Sequence, residues 1–307
     1  MNGFVAGAGA TNVDLLYKGF PRLPKLGEEI YCDDFSLQLG GGVPATLINL
    51  GRLGIETHIA TELGDDMFSR FAQEKFQENG VAPVNLYTGD KIPLNITSAI
   101  ILPEDRTFFT YGKGSIEPDN KALETFYQTA TGAKVVLMQP GGFLPVYERL
   151  KAEGSILVLD TGWDENLSFA AYGKYLEIAD YYTPNRKEAL QITGETTPKR
   201  AAERLHTYFD KVVVKVDKDG CIGSENGQQF FVKSVSEFQN ADSTGAGDAF
   251  LAGFIYGLMH DAPLATCIAY GNITGGKAVT AVGALSAYVT EAELHALYKT
   301  YFAKYMR

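Results

Sequence analysis

The sequence predicts an α/β fold: a doubly wound, mostly parallel sheet flanked by helices, carrying a small β-sheet lid. Three observations lead there. Short, almost wholly apolar runs recur along the chain of 307 residues, stretches with helical spacing lie between them, and two extended stretches interrupt the alternation. Alternating strand and helix is the pattern of a parallel sheet covered on both faces.

The clearest apolar runs span 4–8, 135–139, 156–160, 181–183 and 211–216. Each has strand length and no polar alternation, as expected of strands buried on both sides. A helix is expected over 44–53, with Pro44 in its first turn and Gly54 just past its end. Another carries Phe68, Phe71, Ala72 and Phe76 on one side and stops at Gly80. The stretches 27–39 and 97–111 read as extended, the second with a hairpin turn at Pro103-Glu104-Asp105. They could be edge strands of the main sheet or a separate lid. The lid reading divides the chain into a large domain (1–12, 40–96 and 112–307) and a small one (13–39 and 97–111).

Composition excludes several function classes. The chain is 45% hydrophobic and 21% charged, as soluble globular proteins are. No apolar run reaches the length of a membrane span, and the N-terminus lacks the pattern of a signal peptide. Cys32, Cys221 and Cys267 are odd in number and far apart, which suggests neither disulfides nor zinc, and a reducing, cytoplasmic setting is expected. The net charge of −10, without any Lys/Arg block, argues against nucleic-acid binding. Any anion must therefore be held by local N–H groups, a few placed cations and a metal.

The densest chemistry lies in Asp242-Ser243-Thr244-Gly245-Ala246-Gly247-Asp248, followed by the apolar helical run Ala249, Phe250, Leu251, Phe254, Ile255 and Leu258. A glycine-rich turn feeding a helix N-terminus aims unpaired N–H groups at one point. An acid at its mouth is placed to take a proton from an attacking hydroxyl while the N–H groups hold developing charge. An N-cap on a tight turn would look the same locally. Four further segments share this double reading. Asn12 and Asp14 follow the first strand and could cap a loop or read hydroxyls. Gly41 and Gly42, in Gly40-Gly41-Gly42-Val43-Pro44-Ala45-Thr46, open a helix or admit a ligand. Asn185 and Glu188, in Pro184-Asn185-Arg186-Lys187-Glu188, could simply start a helix. Lys215 lies in a strand, 211–216, that runs into Asp217-Lys218-Asp219-Gly220 and could contact a phosphate.

Together these segments resemble the ribokinase (PfkB) family of carbohydrate kinases, in order and over almost the whole chain, from Asn12 to Ser286. The run 242–248 is similar to the family signature D-T-x-G-A-G-D, with Ser243 in place of Thr. The resemblance implies a ribokinase-like fold and ATP-dependent phosphorylation of a sugar hydroxyl. Asp248 would be the catalytic base, and Gly245, Ala246 and Gly247 the anion hole. Asn12, Asp14, Gly41, Gly42 and Thr46 would bind the sugar, Thr46 standing where the family has Asn and offering one donor in place of two. The Gly-Gly-Val-Pro-Ala form is similar to fructokinase-like members. Asn185, Lys215 and Gly220 would contact ATP, and Glu188 would organise water on Mg²⁺. Asp217 stands where the family has a glycine, so that position's role is not carried over. Asp242, Thr244, Ala278, Ala281, Gly283 and Ser286 resemble the family's site for a monovalent cation such as K⁺. Where several members carry an arginine, this chain has Thr161-Gly162-Trp163-Asp164, which disfavours keto-acid sugars. Trp163 could stack on a ring or pack. A nucleoside kinase and a non-catalytic ligand-binding protein of the same fold are the alternatives, and a homodimer through the lid is expected where its edges pair. The Gly7-Ala8-Gly9 run also raises a dinucleotide-dependent oxidoreductase, but Asn12 breaks the G-x-G-x-x-G fingerprint.

Overall fold

The computed structural model describes residues 3–102, 105–162 and 164–302. Along the chain, β1 (Val5–Ala8) leads to β2 (Asn12–Lys18), β3 (Asp34–Gly40), α1 (Gly42–Arg52), β4 (Thr57–Thr61) and α2 (Met67–Glu78). Next come β5 (Val81–Asn85), β6 (Asn95–Ile101), β7 (Arg106–Tyr111), α3 (Asn120–Ala130), β8 (Val135–Met138) and α4 (Leu144–Ala152). They are followed by β9 (Ile156–Leu159), α5 (Phe169–Leu176), β10 (Tyr181–Tyr182), α6 (Arg186–Thr193), α7 (Pro198–Leu205) and β11 (Lys211–Lys215). The chain closes with β12 (Gly220–Glu225), β13 (Gln228–Lys233), α8 (Ala246–Met259), α9 (Leu264–Ala278) and α10 (Glu291–Tyr301).

Six parallel strands form the main sheet in the order β10-β9-β8-β1-β4-β5. Its central strands are apolar at every position because both faces are covered. Val5, Val135 and Leu137 join the core on one face, while Ala6, Ala8, Val136 and Met138 join the core on the other. The antiparallel sheet β11-β12-β13 extends this layer beyond β10, where Lys215 N–H donates to the carbonyl of Pro184 at 2.9 Å. Gly7 and Gly9 let α1 lie against β1, since a Cβ on either would come within 2.7 Å of Val43. That packing need accounts for the Gly-x-Gly run without a dinucleotide.

A four-stranded sheet, β3-β2-β6-β7, stands apart from the main one, with β2 and β6 parallel and the outer strands antiparallel to them. Within the stretch 27–39 only Asp34 onward is strand, while 12–18 contributes a second strand. Of the hairpin turn expected at Pro103-Glu104-Asp105, only Asp105 lies within the described residues. Strands β4, β5, β12 and β13 had no clear apolar run to announce them. Among the described residues all three cysteines are free, Cys221 and Cys267 being buried, and no helix is long and apolar enough to cross a membrane.

Candidate active site

Asp248 sits in the first turn of α8, a helix buried at every position from Ala249 to Leu258 and packed against α1 and α9. That burial explains the unbroken apolar run after Asp248 and holds the helix N-terminus rigidly. Its N-cap, Gly245, has a left-handed backbone (φ 75°), and a Cβ there would come within 2.7 Å of Ala284. Ala246 N–H donates to the Ser243 carbonyl at 3.3 Å, while Gly247 is exposed and its N–H has no helical acceptor, so this end of the helix is open to an anion. Asp248 keeps a solvent-facing edge. Burial raises its carboxyl well above the usual range, and Asp160 and Glu188 push the same way against the opposing charge of Lys215.

The glycine run Gly40–Gly42 brings the junction of β3 and α1 to this carboxylate. A Cβ on Gly42 would sit 3.6 Å from Asp248 Oδ1, 2.9 Å from Gln139 Nε2 and 4.0 Å from Asp160 Oδ2. Two residues earlier, a Cβ on Gly40 would collide with Asp14 Oδ2. The run therefore lies directly over both carboxylates, and only hydrogen at these positions leaves room for a ligand. Asp14 accepts from Asn12 Nδ2, whose Oδ1 accepts from Thr97 Oγ1 at 3.1 Å, and Thr97 in turn pairs with Thr110 at 3.0 Å. Burial raises Asp14 to about 6, with the Asn12 hydrogen bond opposing. Thr46 is not brought to the cleft surface. It is 1% exposed and its hydroxyl donates to the main-chain carbonyl of Asp248 at 3.4 Å, bracing α8.

Asn185 and Glu188 form a capping box on α6: Asn185 accepts from Glu188 N–H at 3.0 Å, and Glu188 accepts from Asn185 N–H at 2.8 Å. Asn185 Nδ2 also donates to Glu188 Oε1 at 2.6 Å. Burial raises the Glu188 carboxyl, against the pull of Lys215. Lys215 ends β11 in a bridge to Asn185, and its Nζ lies 3.7 Å from a Cβ placed on Gly247. One cation thus faces Asp248, Glu188 and the helix N-terminus together. Gly220 opens β12 beyond the short turn that begins at Asp217. Asp217 itself has φ 57°, so its position demands the left-handed backbone that glycine gives freely and aspartate tolerates. Its charge is met by Arg186, Nε to Oδ2 at 2.7 Å.

Asp242 and Thr244 stand where the chain enters the glycine turn. Asp242 Oδ1 accepts from Thr244 N–H and Oγ1 at 3.0 and 2.8 Å, and Oδ2 accepts from Gly283 N–H at 2.9 Å. Arg106, on β7 of the small sheet, donates to Asp242 and to Thr244 Oγ1. Burial would raise the Asp242 carboxyl, but these bonds hold it below the usual range. Ser286 donates to the Val282 carbonyl at 2.7 Å, Ala278 is buried at the end of α9, and Ala281 lies in the loop between them. A cavity of about 330 Å³ separates this loop pair from the small sheet, lined by Asp14, Leu16, Ile101, Arg106, Phe108 and Asp242 among others. Asp248 lies outside its lining.

Three side chains here went unremarked in the sequence: Asp160, Gln139 and Arg106. The first two directly follow strands β9 and β8, and the carboxyl ends of parallel strands are where ligands bind in such sheets, so position could have flagged them. Arg106 carried no local signal. Trp163 lies outside the described residues.

Comparison with known proteins supplies the remaining observations. The profile of the pfkB family carbohydrate kinase matches residues 7–291. The chain is 25% identical over 279 residues to a 5-dehydro-2-deoxygluconokinase of Geobacillus kaustophilus, covering 83% of each chain. It is 27% identical over 285 residues to an aminoimidazole riboside kinase of Salmonella typhimurium, covering 82% of this chain and 85% of that one. Its fold matches the ribokinase of Arabidopsis thaliana complexed with ribose and ATP, with TM-score 0.82 at 21% identity, over 97% of this chain and 99% of the other.

Proposed function

This chain belongs to the pfkB family of carbohydrate kinases, and from that premise we propose that it transfers the γ-phosphoryl group of ATP to a hydroxyl of a sugar. The observation that carries the proposal is the convergence of Asp248, the open N-terminus of α8 and the bare Gly42 backbone on one point. An acceptor lies with hydroxyls on Asp14 and Asn12, over Gly41 and Gly42. Asp248 takes the proton of the attacking hydroxyl, its oxygen bonds to the γ-phosphorus, and the bond to the β–γ bridging oxygen breaks to release ADP. Gly245, Ala246 and Gly247 hold the equatorial oxygens with N–H groups as charge spreads onto them. A carboxyl raised by burial is the stronger base, which suits Asp248 to this step.

Lys215 and Asn185 would steady the phosphates, and the turn to Gly220 would back the nucleotide. Glu188 fits Mg²⁺ through water, because each of its oxygens keeps lone pairs beyond those given to Asn185. Among the described residues no three His, Cys, Asp or Glu converge as a preformed cage, the donor set expected where phosphate and water supply most of the ligands. Held there by Glu188 through water, Mg²⁺ would supply charge neutralisation for the transferring group. The small sheet would act as a lid that excludes water. Phe35, Phe109 and Tyr111, exposed on the side of the sheet away from the cavity, together with its two edge strands, support a homodimer through this face.

A nucleoside acceptor is the second reading, favoured by the apolar wall of the cavity beside Asp14, where Leu16, Ile101 and Phe108 could take a base. Coupled detection of ADP release across pentoses, hexoses, sugar phosphates and nucleosides tests both. At least one class should stimulate ATP turnover. If none does, the kinase proposal fails.

A further inference from the structure

Asp242 ties together the two loops that shape the anion-binding turn. Its Oδ2 holds Gly283 N–H of the 282–286 loop at 2.9 Å, and its Oδ1 holds Thr244 N–H at 3.0 Å, one residue before Gly245. Gly245 in turn packs directly on Ala284. A carboxylate 10% exposed at such a junction needs a counter-charge. The family resemblance would supply it as a monovalent cation. Here the place is filled: one nitrogen, Arg106 Nη1, meets both Asp242 Oδ1 and Thr244 Oγ1, the latter at 2.5 Å. A single positive nitrogen between two oxygens stands where a bound ion would, and a guanidinium never loses its charge.

The arginine comes from the small sheet, its guanidinium carbon 5.6 Å from the centre of the Phe108 ring. A second tie runs from the same sheet to the same loops, with Gln38 Nε2 donating to Ser286 Oγ at 2.8 Å. Ser286 Oγ is thereby committed to Gln38 and to the Val282 carbonyl. Behind the loop, Arg52 donates to the Leu285 carbonyl at 3.0 Å and stacks on Tyr288 at 4.0 Å. Asp242 Oδ1, Thr244 Oγ1 and Ser286 Oγ are therefore each engaged in at least two hydrogen bonds, and Asp242 already has its counter-charge, so these side chains do not call for an added potassium ion.

We propose that Arg106 is a built-in cation: its guanidinium replaces a monovalent ion at Asp242, orders the turn holding Gly245–Gly247 only while β7 is docked, and makes phosphoryl transfer independent of potassium. The inference rests on the kinase reading for its turnover arm. Arg106 acts through Asp242 and is a positioning residue.

The test compares wild type with Arg106→Met and Arg106→Lys in potassium chloride and in tetramethylammonium chloride at equal ionic strength. Thermal midpoint and ADP release are read for each. Wild type should show the same midpoint in both salts and turnover within about twofold. Arg106→Met should lose about tenfold to a hundredfold in turnover, the cost of a misplaced active-site turn. Potassium should restore most of that loss and raise its midpoint by about 2 °C or more. Arg106→Lys, which keeps the charge, should stay indifferent to the salt. Arg106→Gln replaces the Met variant if that one does not fold. Severalfold activation of wild type by potassium overturns the proposal, as does a folded neutral variant indifferent to the salt in both readouts. If no acceptor supports turnover in wild type, the kinase reading has failed, and the midpoints alone still decide the cation question.

Discussion

Asp14 and Asp248 are both carboxylates that burial lifts above their ordinary range, yet they are held in different ways. Asp248 belongs to seven contiguous residues, set in the first turn of α8 beside the left-handed Gly245 and the bare Gly42 backbone, with Asp160, Glu188 and Lys215 as its charged neighbours. Asp14 depends on side chains from separate strands, Asn12 on β2, Thr97 on β6 and Thr110 on β7. Backbone cradles tolerate few changes, because every N–H must keep its direction. A side-chain relay can be rewritten one residue at a time. On the proposed reading, the end that transfers phosphoryl is thus the harder to alter and the end that holds the acceptor the easier.

Substitutions at the two ends should break that contrast or sharpen it. The largest effect is expected for Asp248→Asn, which should keep ATP binding and lower turnover by about 10² to 10⁴, the usual worth of general-base help. Near-normal turnover, measured by coupled ADP release, would remove Asp248 from the role. Gly42→Ala comes next, since its methyl would reach Gln139 Nε2 at 2.9 Å and Asp248 Oδ1 at 3.6 Å. The amide end of Gln139 can swing aside, so the fold should survive while KM for the acceptor rises about tenfold and KM for ATP moves little.

Asp14 offers a pH test. Its carboxyl titrates at about 6 against an ordinary 3.8, so the native state binds the proton more readily than the unfolded chain. Stability from this group is fullest below the ordinary value and is lost as pH rises through about 6. Acceptor binding should run the other way: KM rises as pH falls through about 6 and the carboxylate loses its charge. Asp14→Asn should therefore weaken acceptor binding while stabilising the fold near neutral pH by about 1 kcal/mol, after discount for partial exposure. Loss of stability in that variant would count against the relay as drawn. Smallest of all, Asp217→Gly should be close to neutral in stability, whereas Asp217→Ala should cost about 1 kcal/mol for a left-handed backbone, read as a shift in denaturant midpoint.

Legibility in the sequence followed the same divide. The turn 242–248, the capping residues Asn185 and Glu188, and the glycines over the cleft are each contiguous, so local spacing marked them as candidates and the family resemblance chose between their two readings. Arg106 is 136 residues from Asp242 and meets it only because β7 folds back on the loop pair, so no local pattern could reveal it. Asp217 looked like a charge misplaced near a nucleotide. Its dihedral angle and the Arg186 ion pair explain it, and neither is visible in one dimension. Strands β4 and β5 mix Thr, His, Pro and Asn into their runs, which hid them among loops, while β8, β9 and β11 declared themselves by unbroken apolar character.

The central place of β1 has a consequence for how the protein is made. Residues 5–8 pair with 57–60 on one side, and residues 5–7 with 135–137 on the other, and β2 must wait for β6, which begins at Asn95. These are non-local pairings whose loop closure slows folding. They are nonetheless complete once the first 138 residues exist. During synthesis these pairings can therefore form before the helix bearing Asp248 has been translated. Of the two carboxylates that burial lifts, Asp14 can thus be placed in its sheet before Asp248 exists.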